Sequence, residues 1–183
     1  EAWRVARDAA VALAVVHAAG VLHRDIKPDN LLMEGPRVRL SDFGLALRQT
    51  DPRVTRRGET TGTPAYMAPE QWWGAEVDAR TDVYGLGAVL YESLCGSTPW
   101  RDVDPSTLLH RMATTDPPPL SDQGVNVTPE VEAFVAACLA READSRPSDL
   151  AAFVRRGDAA FGYRPPPGLA EPLVISAAVL GAA

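Results

Sequence analysis

The chain has 183 residues, 46% of them hydrophobic, and a net charge of −6 with acidic and basic residues interspersed. That is enough apolar mass for one sizeable core, and with no basic stripe nucleic acid is not an expected partner. Its two cysteines, Cys95 and Cys138, lie in apolar helical patterns without metal-ligand spacing, as expected of free thiols in a reducing compartment. No secretory signal pattern opens the chain.

In chain order, residues 1–19 predict a buried helix. Val5, Ala9, Ala12, Leu13 and Val16 follow helical spacing, and Gly20 stands where a C-cap belongs. His17 reads as a histidine placed at a helix terminus. The stretch from His23 to Asn30 reads His-Arg-Asp-Ile-Lys-Pro-Asp-Asn, a polar loop pinned between two apolar runs that predict short buried strands. Pro28 fixes its own φ and holds Lys27 extended. Strands over 31–33 and 38–40 are joined by a turn at Glu34-Gly35-Pro36.

Of 18 basic residues, Lys27 is the one lysine. A chain that uses arginine wherever a surface charge will do keeps a compact ammonium here, the shape that suits a single phosphate oxygen. Asp25, Lys27 and Asn30 together supply a base, a cation and an oxygen ligand, the set that phosphoryl transfer to a hydroxyl requires. Asp42, followed by Phe43 and Gly44, adds another hard oxygen. His23 reads as a structural core histidine.

From Asp42 to Glu70 the chain is polar and rich in threonine, with Thr50, Thr55, Thr60, Thr61 and Thr63 among Arg53, Arg56 and Arg57. A loop this long inside a compact domain is functional or disordered. Pro69 to Trp73 predicts a short helix ended by Gly74; its adjacent tryptophans cannot share one face, so one stays partly exposed. Residues 80–95 predict the central buried helix, with Asp82 near its start. A helix over 105–113 follows, then a rigid proline loop at 116–119. Thr128-Pro129-Glu130 starts another helix. A last helix follows Asp144–Ser148 and ends at Gly157. Residues 158–172 read as a proline-rich linker. Residues 173–183 are apolar but shorter than the about 20 residues of a membrane span; they are either the start of such a helix or an apolar tail.

Three ordered signatures, at 23–30, 42–44 and 62–70, resemble those of the eukaryotic-like (Hanks-type) serine/threonine protein kinases. The resemblance covers residues 1–157 and implies a mostly α fold: the helical C-terminal lobe of a kinase, with short β-hairpins around the catalytic loop. It implies that Asp25 is the base, that Lys27 neutralises the transferring phosphate, and that Asn30 and Asp42 hold magnesium (or manganese) on ATP. Lys27 and Thr63 imply serine and threonine acceptors in protein substrates, Thr63 tying the substrate platform to the base. Phe43 and Gly44 complete the metal-binding triplet, beneath which His23 packs. Glu70 and Arg146 imply a buried ion bridge, and Asp82 a carboxylate that hydrogen-bonds the backbone of the catalytic loop.

Arg24 implies a partner for a phosphorylated loop, although Leu47 stands where active members often carry a second cation. Thr60 or Thr61 is the expected activating site, with Thr55 expected to pair locally. Nothing in 1–22 resembles the Gly-rich loop, strand lysine or glutamate of the small N-terminal lobe. That lobe is therefore the missing partner, and residues 1–183 alone are expected to be inactive. The expected location is cytoplasmic, with a membrane tether beginning near Leu173 if the apolar run continues. Two rival readings stand beside this one. A non-catalytic kinase-like scaffold would have no need of magnesium ligands, and a small-molecule phosphotransferase would have no need of the platform at 62–70.

Overall fold

The computed structural model describes residues 1–35, 37–42, 47–48, 64–101, 103 and 105–166. Helix α1 (Ala2–Ala18) forms because its alanine-rich sequence costs little side-chain entropy in a helix. Its face of Ala6, Ala9, Ala10, Leu13 and Val16 is buried. Gly20, at φ 74°, takes the left-handed turn that releases the chain into β1 (Val21–Leu22). After the 23–30 loop, whose last three residues wind into a 3₁₀ turn, β2 (Leu31–Glu34) and β3 (Arg37–Leu40) form an antiparallel hairpin pairing Leu31 with Leu40 and Glu34 with Arg37. Gly35 at φ 60° lies in its turn. The backbone of β4 (Leu47–Arg48) returns antiparallel to β1.

The strands of this hairpin are less buried than their composition predicts. Leu31 and Val38 are buried, but Leu32 and Met33 are 51% and 49% exposed. A two-stranded ribbon has only one packed face, here on α1, so the alternation leaves Leu32 outside.

Helix α2 (Pro69–Trp73) has proline in its first turn and Gly74 at φ 61° after its end, as its sequence predicts. Trp72 packs against the core while Trp73 stays 45% exposed. Helix α3 (Ala79–Cys95) is the axis of the molecule: every residue from Thr81 to Tyr91 is buried. The Asp78 carboxylate caps its start by accepting from the Arg80 N–H, and Gly96 at φ 78° ends it. Helices α4 (Pro105–Thr114), α5 (Pro129–Cys138) and α6 (Leu150–Ala160) follow, α5 capped by Thr128 and α6 by Asp149. Helices α1, α5 and α6 pack on α3.

Interior glycines weaken a helix by about 1 kcal/mol each relative to alanine, yet α3 carries two. A Cβ at Gly85 would lie 2.8 Å from the Ile26 Cβ. The absent side chain is what lets the 23–30 loop rest directly on α3.

Gly157 is likewise not the helix end that its type suggested. Helix α6 runs on to Ala160, and a Cβ at Gly157 would overlap the Trp3 indole. The Trp3 ring stacks on Phe161 at 5.2 Å and meets Phe134 edge-on at 5.5 Å. Phe161 and Tyr163 therefore pack on the core, past the expected start of the linker at 158. Arg7, buried on α1, donates its Nε to the Asp158 carboxylate at 3.0 Å and lies over the Tyr163 ring. The Trp3 Nε1 donates to the same carboxylate. Gly157→Ala should destabilise the chain by about 1–3 kcal/mol through overpacking, despite the better helix propensity of alanine. Urea unfolding measures this; a stabilised variant would show that the indole yields freely. No described helix is long and apolar enough to cross a membrane, and residues 173–183 lie outside the described residues.

Candidate active site

Two non-glycine residues among those described have positive φ: Arg24 at 68° and Asp42 at 59°. Such conformations cost about 1–3 kcal/mol each and persist only where the surroundings hold them. At Arg24 the main restraint comes from α3. The Asp82 carboxylate is fully buried and accepts from the Arg24 N–H at 2.7 Å and from the His23 N–H at 2.9 Å. The Nε2 of His17 meets the same carboxylate at 2.6 Å. His17 is therefore more than a charge at a helix end. It joins α1 to α3 through the group that holds the loop.

His23 is buried, with its Nε2 3.2 Å from the Ser41 carbonyl, while its Nδ1 accepts from the Asp25 N–H at 3.3 Å. An accepting Nδ1 places the proton on Nε2. The imidazole thus spans from the residue before Asp42 to the peptide of Asp25.

Asp25, Lys27 and Asn30 are brought together. Lys27 donates its Nζ to Asp25 Oδ2 at 2.8 Å. Asn30 donates its Nδ2 to the Asp25 carbonyl at 2.7 Å and to Oδ2 at 3.2 Å. Among the described residues both side-chain contacts fall on one oxygen of Asp25, Oδ2, and none falls on Oδ1. The hydrogen bond with Asp25 raises the Lys27 pKa above the usual lysine value against the opposing effect of burial, with the charges of Asp25, Asp29 and Asp42 adding to it.

The Ser41 N–H donates to the Asn30 carbonyl at 3.0 Å, which sets Asp42 beside Asn30 at the same end of the β2–β3 hairpin. Both hydrogens of the Asn30 amide are turned to Asp25, so its carboxamide oxygen is the atom left to a cation. That oxygen and the Asp42 carboxylate are both hard oxygen donors, the chemistry that suits a small divalent cation.

On the far side of the loop, Tyr66 donates its hydroxyl to Glu92 on α3 at 2.7 Å. Burial first, and then this hydrogen bond, raise the Tyr66 pKa far above the usual phenol value. Glu70 and Arg146 meet in a two-pronged pair with both contacts at 2.8 Å. Thr81 also donates to Glu70. The remaining Arg146 hydrogens go to the carbonyls of Ala140, Arg80 and Arg141, and its guanidinium lies 4.9 Å over the Tyr84 ring. Phe43, Gly44, Thr55, Thr60, Thr61 and Thr63 lie outside the described residues.

Sequence reasoning passed over one more residue. Gln71 accepts from the Ala68 N–H at 3.0 Å and donates to the Arg24 carbonyl at 2.8 Å. A glutamine three residues after a helix N-cap is the reaching half of a capping box, a signal hidden here because Ala68 supplies no partner oxygen.

Comparison with known proteins places these features in a family. The protein kinase domain model matches residues 1–155. The chain is 40% identical over 148 residues to the serine/threonine-protein kinase PknB of Mycolicibacterium smegmatis, covering 79% of this chain and 24% of that protein. It is 46% identical over 144 residues to the DNA damage-responsive serine/threonine-protein kinase RqkA of Deinococcus radiodurans, covering 77% and 21%. With the probable serine/threonine-protein kinase pknA2 of Bifidobacterium longum it shares 37% identity over 153 residues, covering 83% and 20%. The chain thus spans about a fifth to a quarter of the length of these relatives. The loop held on α3, the hairpin that sets Asn30 beside Asp42 and the matched span lead to one assignment: this chain belongs to the protein kinase family, in its eukaryotic-like serine/threonine branch.

Proposed function

We propose that this chain is the large lobe of an enzyme that transfers the γ-phosphoryl group of ATP to serine and threonine hydroxyls of protein substrates. The observation that carries the reading is the convergence of Lys27 and Asn30 on one oxygen of Asp25. Oδ1 of Asp25 accepts the proton of the substrate hydroxyl, while Lys27 and Asn30 hold the carboxylate in place. Lys27, paired with Asp25, offsets negative charge as it builds on the transferring group. Asn30 and Asp42 would hold magnesium, which would supply electrophilic stabilisation of the phosphates of bound ATP. The exposed Leu32–Met33 edge supports a covering lobe on that side, and the free thiols support a cytoplasmic setting.

In the full-length protein, Asp25→Asn should lower kcat by about a hundredfold or more, the usual contribution of a positioned base. The fold should be unchanged, because an asparagine still accepts from Lys27. Turnover with radiolabelled ATP and phosphoamino-acid analysis measure this. Near-wild-type activity in Asp25→Asn, or phosphotyrosine as the main product, would overturn the reading.

A further inference from the structure

The peptide joining Arg24 to Asp25 is gripped at both of its polar ends. Its N–H, which belongs to Asp25, donates to Nδ1 of His23. Its carbonyl, which belongs to Arg24, accepts from Nε2 of Gln71. The peptide before it is held in turn by Asp82 through the Arg24 N–H. Arg24 carries the strain of a positive φ, which persists only because the groups around it hold the loop. Arg24, Asp25, Gln71 and Asp82 line a common pocket.

We infer that Gln71 is a positioning residue: from the first turn of α2 it holds the Arg24–Asp25 peptide in the orientation that aims the Asp25 carboxylate. The inference rests on the proposed role of Asp25 as the base. The orientation of the Gln71 amide is dictated by chemistry, since Ala68 presents an N–H and Arg24 presents a carbonyl. The opposite orientation would set donor against donor and oxygen against oxygen. One side chain therefore links the end of the 62–70 platform to the residue before the base. Displacement of α2 is transmitted to Asp25 through a single hydrogen bond.

Gln71→Glu separates this role from helix capping. A carboxylate still accepts from the Ala68 N–H, and negative charge suits a helix start. Its second oxygen, however, faces the Arg24 carbonyl. In the full-length protein kcat should fall about tenfold, which is about 1.4 kcal/mol of barrier, with KM for ATP and the melting temperature nearly unchanged. Protonating the new carboxyl restores a donor, so the ratio of variant to wild-type kcat should climb as pH falls from about 8 to about 5.5. Hydrogen exchange should speed up across residues 22–27 and stay the same across α3. Wild-type kcat in the variant, or a reduced kcat whose ratio is flat with pH, would overturn the inference. Wild-type protein without turnover would overturn the kinase reading instead. The exchange comparison then still decides the role of Gln71, because unchanged exchange at 22–27 refutes it with or without catalysis.

Discussion

Asp82→Asn should destabilise the lobe by about 3–5 kcal/mol, the range for breaking a buried charged network from one side. It should also abolish phosphoryl transfer in the full-length protein. The carboxylate accepts from two backbone N–H groups, at His23 and Arg24, and meets His17. An asparagine keeps one accepting oxygen and turns an NH₂ toward a donor, so at least one buried N–H is stranded. Each stranded group costs about 1–3 kcal/mol. The strain at Arg24 then loses its restraint, and Asp25 loses its fixed direction. Because Asp82 touches no reacting atom, the loss should appear in kcat and in thermal stability together. His17→Phe should cost less and should not add fully to Asp82→Asn, since both act on one carboxylate. Denaturant unfolding and turnover measure these effects; full additivity of the two substitutions would show that the 2.6 Å contact carries no coupling.

Arg146→Ala should be nearly as costly, again about 3–5 kcal/mol, for a different reason. Its side chain is fully buried, and all five of its N–H donors are used, two on Glu70 and three on backbone carbonyls. Removing it strands the Glu70 carboxylate and uncovers the face of Tyr84, whose hydroxyl burial pushes up to about 12. Lysine is no substitute, because an ammonium offers three donors from a point where five are needed in a plane. Replacing both partners by apolar residues of similar size, Glu70→Leu with Arg146→Met, should recover part of the loss, since no charge is then left uncompensated. Urea unfolding of the three variants gives the comparison. A double variant as unstable as Arg146→Ala would show that the carbonyl contacts, rather than the stranded charge, set the cost.

The helices were legible where their signals are local. The glycines after α1, α2 and α3 stand one to two residues past each helix end, and Thr128-Pro129 opens α5. Periodicity of 3.6 residues reports which face meets the core, so the burial of α3 was readable without knowing its neighbours. The spacing of Asp25, Lys27 and Asn30 was equally readable. Three functional groups within one short loop can converge through the backbone of that loop alone, and here they do. The pairing of Leu31 with Leu40, which sets Asn30 beside Asp42, follows from a hairpin turn at Gly35. The resemblance of 62–70 to a kinase platform was readable as well. Glu70 and Arg146 were matched through that resemblance and not from spacing, since 76 positions separate them.

What only the tertiary structure decided concerns partners far apart in the chain. His17 finds Asp82 across 65 positions, Arg7 finds Asp158 across 151, and Gln71 finds the Arg24 carbonyl across 47. No local period encodes such meetings; they arise when α1, α2, α3 and α6 pack, because a buried polar group must be matched by whatever donor or acceptor the packing delivers. Gly157 shows the same limit from the other direction. By type it is a helix terminator, and only the approach of Trp3 from the start of the chain explains a glycine inside α6. The exposure of Leu32 was also beyond local reading, since an apolar strand is buried only if something covers it, and the hairpin has α1 on one face alone. By itself, then, the sequence determined the family, the helices and the chemical groups of the site. Packing decided what holds those groups in place, because the orientation of a side chain depends on neighbours that the chain brings in from elsewhere.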